Sequence, residues 1–187
     1  WGYNSSGALG DGTYSTVLIP RKTNIIATYT DISVGKDFTV ALRNNGTVWS
    51  WGSNGNGQLG IENHQNSAKP VQVHELENIE KIAAGETHAV AVSSYGIIYG
   101  WGSNQNGELG LYSQDDVVLP TVIATPDTEV VDISAGKGQT AYVTTEGKVY
   151  GLGSILSGEL EGINNAIKVE IGEGYIVILT QDGEIYE

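Results

Sequence analysis

Trp51-Gly-Ser-Asn-Gly-Asn-Gly-Gln-Leu-Gly60 decides how this chain is read, because the sequence repeats it. One copy earlier stands Trp1-Gly-Tyr-Asn-Ser-Ser-Gly-Ala-Leu-Gly10, and one copy later Trp101-Gly-Ser-Asn-Gln-Asn-Gly-Glu-Leu-Gly110. A fourth, eroded copy begins at Leu152-Gly153, keeps Gly158 and Leu160, and carries Glu161 where the others have glycine. Self-similarity at a fixed period of about 50 residues is the mark of a propeller or solenoid, and it outranks local propensity.

Each unit can be followed outward from its Trp-Gly pair. The glycine-rich turn leads into a polar loop and then to a proline, at Pro20, Pro70 and Pro120. Apolar stretches follow the second and third (Val71-Gln-Val73, Thr121-Val-Ile123) and read as edge strands, where proline is tolerated. Next comes a segment ending in glycine: Ile32-Ser-Val-Gly35, Ile82-Ala-Ala-Gly85, Ile133-Ser-Ala-Gly136. Two residues on, a third strand is expected at Phe38–Leu42, His88–Val92 and Gln139–Val143. A fourth is expected at Gly46–Trp49, Gly96–Tyr99 and Gly147–Tyr150, running into the next Trp-Gly. Four short strands per unit, separated by turn residues, describe a propeller blade. No segment supplies the three-to-four spacing of apolar residues that a helix requires.

The units run approximately 1–50, 51–100, 101–151 and 152–187 within one domain. The last is shortened: 27 positions separate Leu109 from Gly136, but 12 separate Leu160 from Gly172. The polar loop and proline strand are therefore missing, and the blade there is expected to shrink to its inner strands. The ends are in phase, since Tyr186-Glu187 stops where a Trp-Gly would begin and Trp1-Gly2 starts there.

Composition narrows the function. The chain has 9 basic and 22 acidic residues, a net charge of −13. Binding to nucleic acid draws on phosphate neutralisation by Lys and Arg, so this balance argues against it, and equally against anionic membranes. There is no cysteine, hence no disulfide framework, thiolate metal site or thiol nucleophile. No apolar run has the length of a spanning helix. No methionine is present even at position 1, so the sequence reads as a processed product or a fragment.

The candidate motifs mostly resolve into structure. A large aromatic at each repeat fills the wedge between blades, and the glycine beside it permits close approach or φ > 0. Asn4, Asn54 and Asn104 stand at a fixed offset and most simply close a turn on their own backbone. Gly55-Asn-Gly-Gln-Leu-Gly60 fits a dinucleotide fingerprint, but a polar loop and Pro70 follow where the fingerprint needs a helix. His88 occupies the slot held by Phe38, Gln139 and Tyr175 in the other units, which favours a structural role over chemistry. His64 and His74 have no ligand spacing, and Asp115-Asp116 reads as a solvated pair in a loop. Neither a catalytic centre, a metal nor a cofactor is expected.

Gly96-Ile-Ile-Tyr-Gly-Trp-Gly-Ser-Asn-Gln-Asn-Gly-Glu-Leu-Gly110, preceded by Ala83-Ala-Gly-Glu-Thr-His-Ala-Val-Ala-Val92, resembles the regulator of chromosome condensation repeat. The resemblance covers nearly the whole chain. It implies an all-β fold, a β-propeller of repeated four-stranded antiparallel blades. Either the four units close into a ring of four blades or the chain is a segment of a larger ring; the family's ring has more blades than four, which favours the segment. The founder of the family is a guanine nucleotide exchange factor on chromatin, whose basic character this chain lacks. Another similar protein is a secreted bacterial inhibitor of β-lactamase with shortened repeats. What such proteins share is binding of a protein partner through rim loops. Histidine at the position of His88 implies a place at the blade interface or central shaft.

The loops between Leu-Gly and proline differ between repeats: Asp11-Gly-Thr-Tyr-Ser-Thr16, Glu62-Asn-His-Gln-Asn-Ser67 and Tyr112-Ser-Gln-Asp-Asp116. A scaffold with constant strands and one variable loop class is built like a recognition surface. The expected function is a noncatalytic protein-binding module of a bacterial surface or secreted protein. An exchange factor, an enzyme inhibitor or regulator, and a structural spacer are the alternatives. Expected contacts with an unknown protein partner are Tyr14, His64, Tyr112, Asp115 and Asp116, then the shaft positions Phe38, His88, Gln139 and Tyr175. Self-association is expected if the ring is incomplete.

Overall fold

The computed structural model describes residues 1–23 and 27–187. Among them the chain forms strands and turns and no helix, so none is long and apolar enough to cross a membrane. The first antiparallel sheet is β1 (Tyr29–Val34), β2 (Phe38–Arg43), β3 (Val48–Gly52) and β4 (Ser67–Gln72), side by side in that order. The second is β5 (Ile79–Ala84), β6 (His88–Ser93), β7 (Ile98–Gly102) and β8 (Val117–Ala124). The third is β9 (Val130–Gly136), β10 (Gln139–Thr144), β11 (Val149–Gly153) and β12 (Gly158–Glu159). The fourth has three strands, β13 (Ala166–Ile171), β14 (Ile176–Thr180) and β15 (Ile185–Tyr186). The innermost strands β1, β5, β9 and β13 neighbour one another in sequence order. This is the repeated antiparallel sheet that the sequence calls for.

Sheets and sequence units are out of phase. The Trp51-Gly52 pair closes β3, and the turn after it carries the chain outward to β4 of the same sheet. The segment missing from the shortened unit therefore belongs to the third sheet, whose outer strand β12 has two residues against eight in β8. The prolines also lie differently from expectation. Pro70 and Pro120 sit within β4 and β8 rather than at their starts. Both strands are outermost, so one side has no neighbouring strand awaiting an N–H donor.

Second strands β6 and β10 are buried along their whole length, and β2 nearly so. A strand covered on both faces reads as a continuous apolar run, which is why His88-Ala-Val-Ala-Val92 shows no alternation. Phe38, Val40, Leu42 and Val48 of the first sheet pack on Ile82, Ala84, Ala89, Ala91 and Trp101 of the second. Val90, Val92 and Ile98 then meet Val130, Ile133 and Tyr142 of the third. Ala141, Val143 and Val149 meet Val169, Ile178 and Ala166 of the fourth. Polar bonds cross the same seams: Ser33 Oγ accepts from the Ala84 amide at 2.9 Å, and Ser134 Oγ from the Ile171 amide at 3.1 Å.

The two innermost strands of each sheet pair with a register shift, beside Tyr29/Asp31, Ile79/Lys81, Val143/Thr144 and Ala166/Lys168. A bulge there sharpens the twist that turns a flat ladder into a blade. The indole of Trp101 is fully buried and donates to the Gln58 carbonyl at 2.9 Å, while Trp51 donates to the Ala8 carbonyl at 2.8 Å. Each tryptophan thus ties one sheet to the turn of the preceding unit. Its neighbouring glycines have φ of 108° at Gly52 and 96° at Gly102. A Cβ on Gly52 would come within 2.4 Å of the Asp37 carbonyl, so both conformation and space demand glycine.

Truncating either tryptophan leaves a cavity and an orphaned carbonyl. Trp51→Ala and Trp101→Ala are each expected to cost about 3–5 kcal/mol in denaturant melts. A shift below about 1 kcal/mol would remove the tryptophan from its place as seam filler.

Candidate recognition rim

The asparagines at fixed offset do more than close a turn. Oδ1 of Asn4, Asn54 and Asn104 accepts from the amide of Leu9, Leu59 and Leu109, at 2.9 Å each time. Their Nδ2 groups donate forward to the carbonyls of Thr13, Asn63 and Ser113. All three side chains are buried. One amide therefore clamps the constant turn to the base of the variable loop, and it does so in every complete repeat.

Above the clamps the variable loops lean on the next unit. The Gly12 amide donates to the Ala68 carbonyl at 2.8 Å and the Glu62 amide to the Val118 carbonyl at 3.3 Å. Asp116 accepts from Asn56 Nδ2 at 2.9 Å and from Gln105 Nε2 at 3.3 Å, joining two turns. In the first loop Asp11 pairs with Arg21, and bonds from Thr13, then from Arg21, outweigh desolvation and hold its carboxyl below the ordinary value. The loops thus form one continuous rim rather than separate fingers.

Of the expected contact residues, Tyr112 is fully exposed, and Tyr14, His64 and Asp115 are exposed on the same loops. His64 Nδ1 lies 3.0 Å from the Gly55 carbonyl, and Asp115 accepts from Ser113 Oγ. Asp116 is half-buried and already committed to its two amide donors. The shaft positions divide. Phe38, His88 and Gln139 are buried in the seams between sheets, so the expectation that they meet a partner from the shaft gives way: packing leaves them no outward surface. Tyr175, their counterpart in the fourth sheet, is exposed.

His88 lies in the second seam, its Nε2 2.9 Å from Thr140 Oγ1. Burial pushes its pKa down to about 4, against the pull of the buried Glu108 carboxylate. Glu108 is itself tied down, accepting from the Asn106 amide at 2.7 Å as Gln58 does from the Asn56 amide at 2.8 Å.

One charged cluster escaped the sequence reading. The residues that follow Gly35, Gly85, Gly136 and Gly172 are Lys36, Glu86, Lys137 and Glu173, and all four line one hollow where the inner strands end. Lys36 pairs with Glu86 at 2.8 Å and Lys137 with Glu173 at 2.7 Å. The pairing raises the pKa of both lysines and lowers that of Glu173. The signal, alternating sign at one repeat position, was present but is visible only when the four units are aligned. Among the described residues no group of three or more His, Asp or Glu is placed to hold a metal ion.

Antiparallel sheets arranged blade by blade around inner strands define a β-propeller-type repeat protein. The chain belongs to the regulator of chromosome condensation (RCC1) repeat family, whose model matches residues 1–42, 45–92 and 95–143. A second model of the same repeat matches 29–58 and 79–108. Human WBSCR16 superposes with a TM-score of 0.80 at 20% identity, covering 97% of this chain and 54% of its own. Yeast RCC1 (Prp20), solved with Kap60, gives 0.76 at 21% identity, covering 88% and 44%. The computationally designed Ika4 protein gives 0.52 at 12% identity, covering 87% and 91%. The chain thus spans about half the length of the two natural propellers. No curated protein matches it in sequence.

His88 supplies a test by pH. Its imidazole has a pKa of 6.5 when unperturbed and about 4 when folded, so the unfolded chain takes up a proton first. Stability present above pH 6.5 is lost as pH falls towards 4, by up to about 3 kcal/mol. His88→Gln, which installs the side chain found at Gln139, is expected to flatten that part of the acid loss in denaturant midpoints. An identical acid profile in the variant would show that His88 is not the group responsible.

The clamp gives a second. Asn104→Ala strands the buried Leu109 amide and releases the Ser113 carbonyl, and should cost about 1–3 kcal/mol with faster amide exchange at Leu109. Unchanged exchange would show that the loop base holds without it.

Proposed function

We propose that this chain is a noncatalytic protein-binding module that meets its partner along the rim of variable loops, and that the partner surface is basic. The observation that carries this reading is the division of labour within each repeat. The asparagine clamp is kept from unit to unit, while the loop it holds changes in sequence and projects its side chains outward. Exposed Tyr14 and Tyr112 offer large contact area with few rotors to immobilise. The net charge of −13 favours encounter with positive surfaces. Yeast Prp20, of the same fold, has been described by its binding to Gsp1p and histones. That supports a protein partner, and histones are basic.

Core histones therefore serve as the first probe of a basic surface, alongside affinity capture from an extract of the source organism. With the partner in hand, Tyr112→Ala is expected to weaken binding at least about tenfold, or 1.4 kcal/mol. Replacing Asp115 with Ala should chiefly slow association, and raising salt should do the same. Unchanged affinity and unchanged association rates in both variants, with a stable fold, would move the site off this rim.

A further inference from the structure

We propose that a hollow between the third and fourth sheets binds a neutral sugar, one hexose ring held by side-chain amides. The hollow measures about 320 Å³ and lies at the end of the sheets opposite the recognition rim. Its walls are the β10–β11 turn, the segment entering β13 and the β14–β15 turn. Both flanking sheets are present, so it belongs to a complete seam. Pockets for small ligands begin at about this size.

The first mark of a site is Thr144, which ends β10 and lines the hollow. It is 2% exposed, and its Oγ1 has no hydrogen-bond partner. At the equivalent positions of the second and fourth sheets, Ser93 and Thr180 are satisfied by their own turns. Ser93 Oγ accepts from the Ile97 amide at 3.2 Å, and Thr180 Oγ1 from the Glu184 amide at 3.1 Å. Buried hydroxyls are nearly always paired, so one left free beside a hollow implies a partner the chain does not supply.

The second mark lies at the register shifts of the inner strands. These shifts skip Thr30, Glu80, Val131 and Ile167 in the four sheets. Only the last two are apolar. They are 36% and 47% exposed, and both line this one hollow.

The other lining side chains set the chemistry of the ligand. Asn164, Asn165 and Gln181 bring three carboxamides together. The Gln181 amide donates to the Asn165 carbonyl at 2.8 Å, which ties their two segments to each other. Asn165 gives its Nδ2 to Asp182 at 2.7 Å and so keeps its Oδ1 for a donor. A carboxamide both donates and accepts, as each hydroxyl of a sugar does. The C–H face of a hexose ring matches the apolar pair Val131 and Ile167. Charge disfavours other classes. No lysine or arginine lines the hollow, so a phosphate or carboxylate would find no counter-ion. Its one charged lining residue, Glu146, already has Lys148 at 3.8 Å.

Amide NMR spectra of the whole chain, titrated in turn with glucose, galactose and mannose, provide the test. At least one hexose is expected to give saturable shifts centred on Thr144, Gly147 and Asn165. Thr144→Val keeps the shape and removes the hydroxyl. It should weaken that binding at least about fivefold without lowering the denaturant midpoint, because the hydroxyl has no partner within the fold. Gln181→Ala, at an exposed position, should weaken binding with the fold untouched, which keeps the test open if the first variant is unstable. Methyl glycosides of the same hexose identify the source. Binding that they retain points to the terminal unit of a glycan, and binding that they lose points to the free sugar. No saturable shift with any of the three hexoses overturns the proposal, as does binding indifferent to both substitutions. Tighter binding of glucuronate than of glucose overturns the neutral class.

Discussion

Burial of both faces of the second and third sheets is the constraint on which this structure depends. A four-stranded sheet with one covered face can expose alternate polar residues on the other. The strands here do not have that option, because β6 and β10 are buried along their whole length. Such a sheet is stable only between two neighbours. Tryptophan at the end of β3 and β7 reaches past its own sheet to the preceding turn, and Ser33 and Ser134 accept amides from the following sheet. The fold is therefore additive along the chain, each seam fixing the position of the next.

Much of this was legible in the sequence because the constraint repeats. Trp51 and Trp101, Gly52 and Gly102, and the apolar runs after Gly85 and Gly136 recur at equivalent positions, and repetition filters structural demand from accident. Phase was not legible. Nothing in Trp51-Gly52 says whether it ends one sheet or begins another, since a sequence period has no marked origin while a sheet has an inner and an outer strand. For the same reason the shortening read near Leu160 belongs to the outer strand of the third sheet.

The site was read less fully, and the reasons are local. Asn54 was recognisable as a turn residue, but its second bond runs to Asn63, in a loop whose course the sequence does not give. Asp115 and Asp116 look alike in sequence; only the neighbouring Asn56, sixty residues away in the chain, separates the exposed carboxylate from the bridging one. His88 was placed with Phe38 and Gln139 by position alone. That placement decides its chemistry, since a slot that accepts phenylalanine is dry and keeps an imidazole neutral.

Loss of the outer strand in the third sheet shows how the repeat tolerates change. In the second sheet Tyr99 of β7 faces Val122 of the long strand β8. In the third, Tyr150 faces a strand of two residues and is held instead by side chains. Its ring stacks on Tyr142 at 5.2 Å, and its hydroxyl donates to Glu159 at 3.1 Å. Lys148 adds a partner for Glu159 at 3.6 Å. The returning segment places Leu156 against Gly151, where any larger residue would collide with it. An outer strand is thus replaceable by a few local contacts, because one edge is free of strand neighbours and it adds only partly buried residues such as Val71, Val117 and Ile123 to the seams. Inner strands have no such substitute. The large variation in length accordingly falls on the outer strand, two residues in β12 against eight in β8.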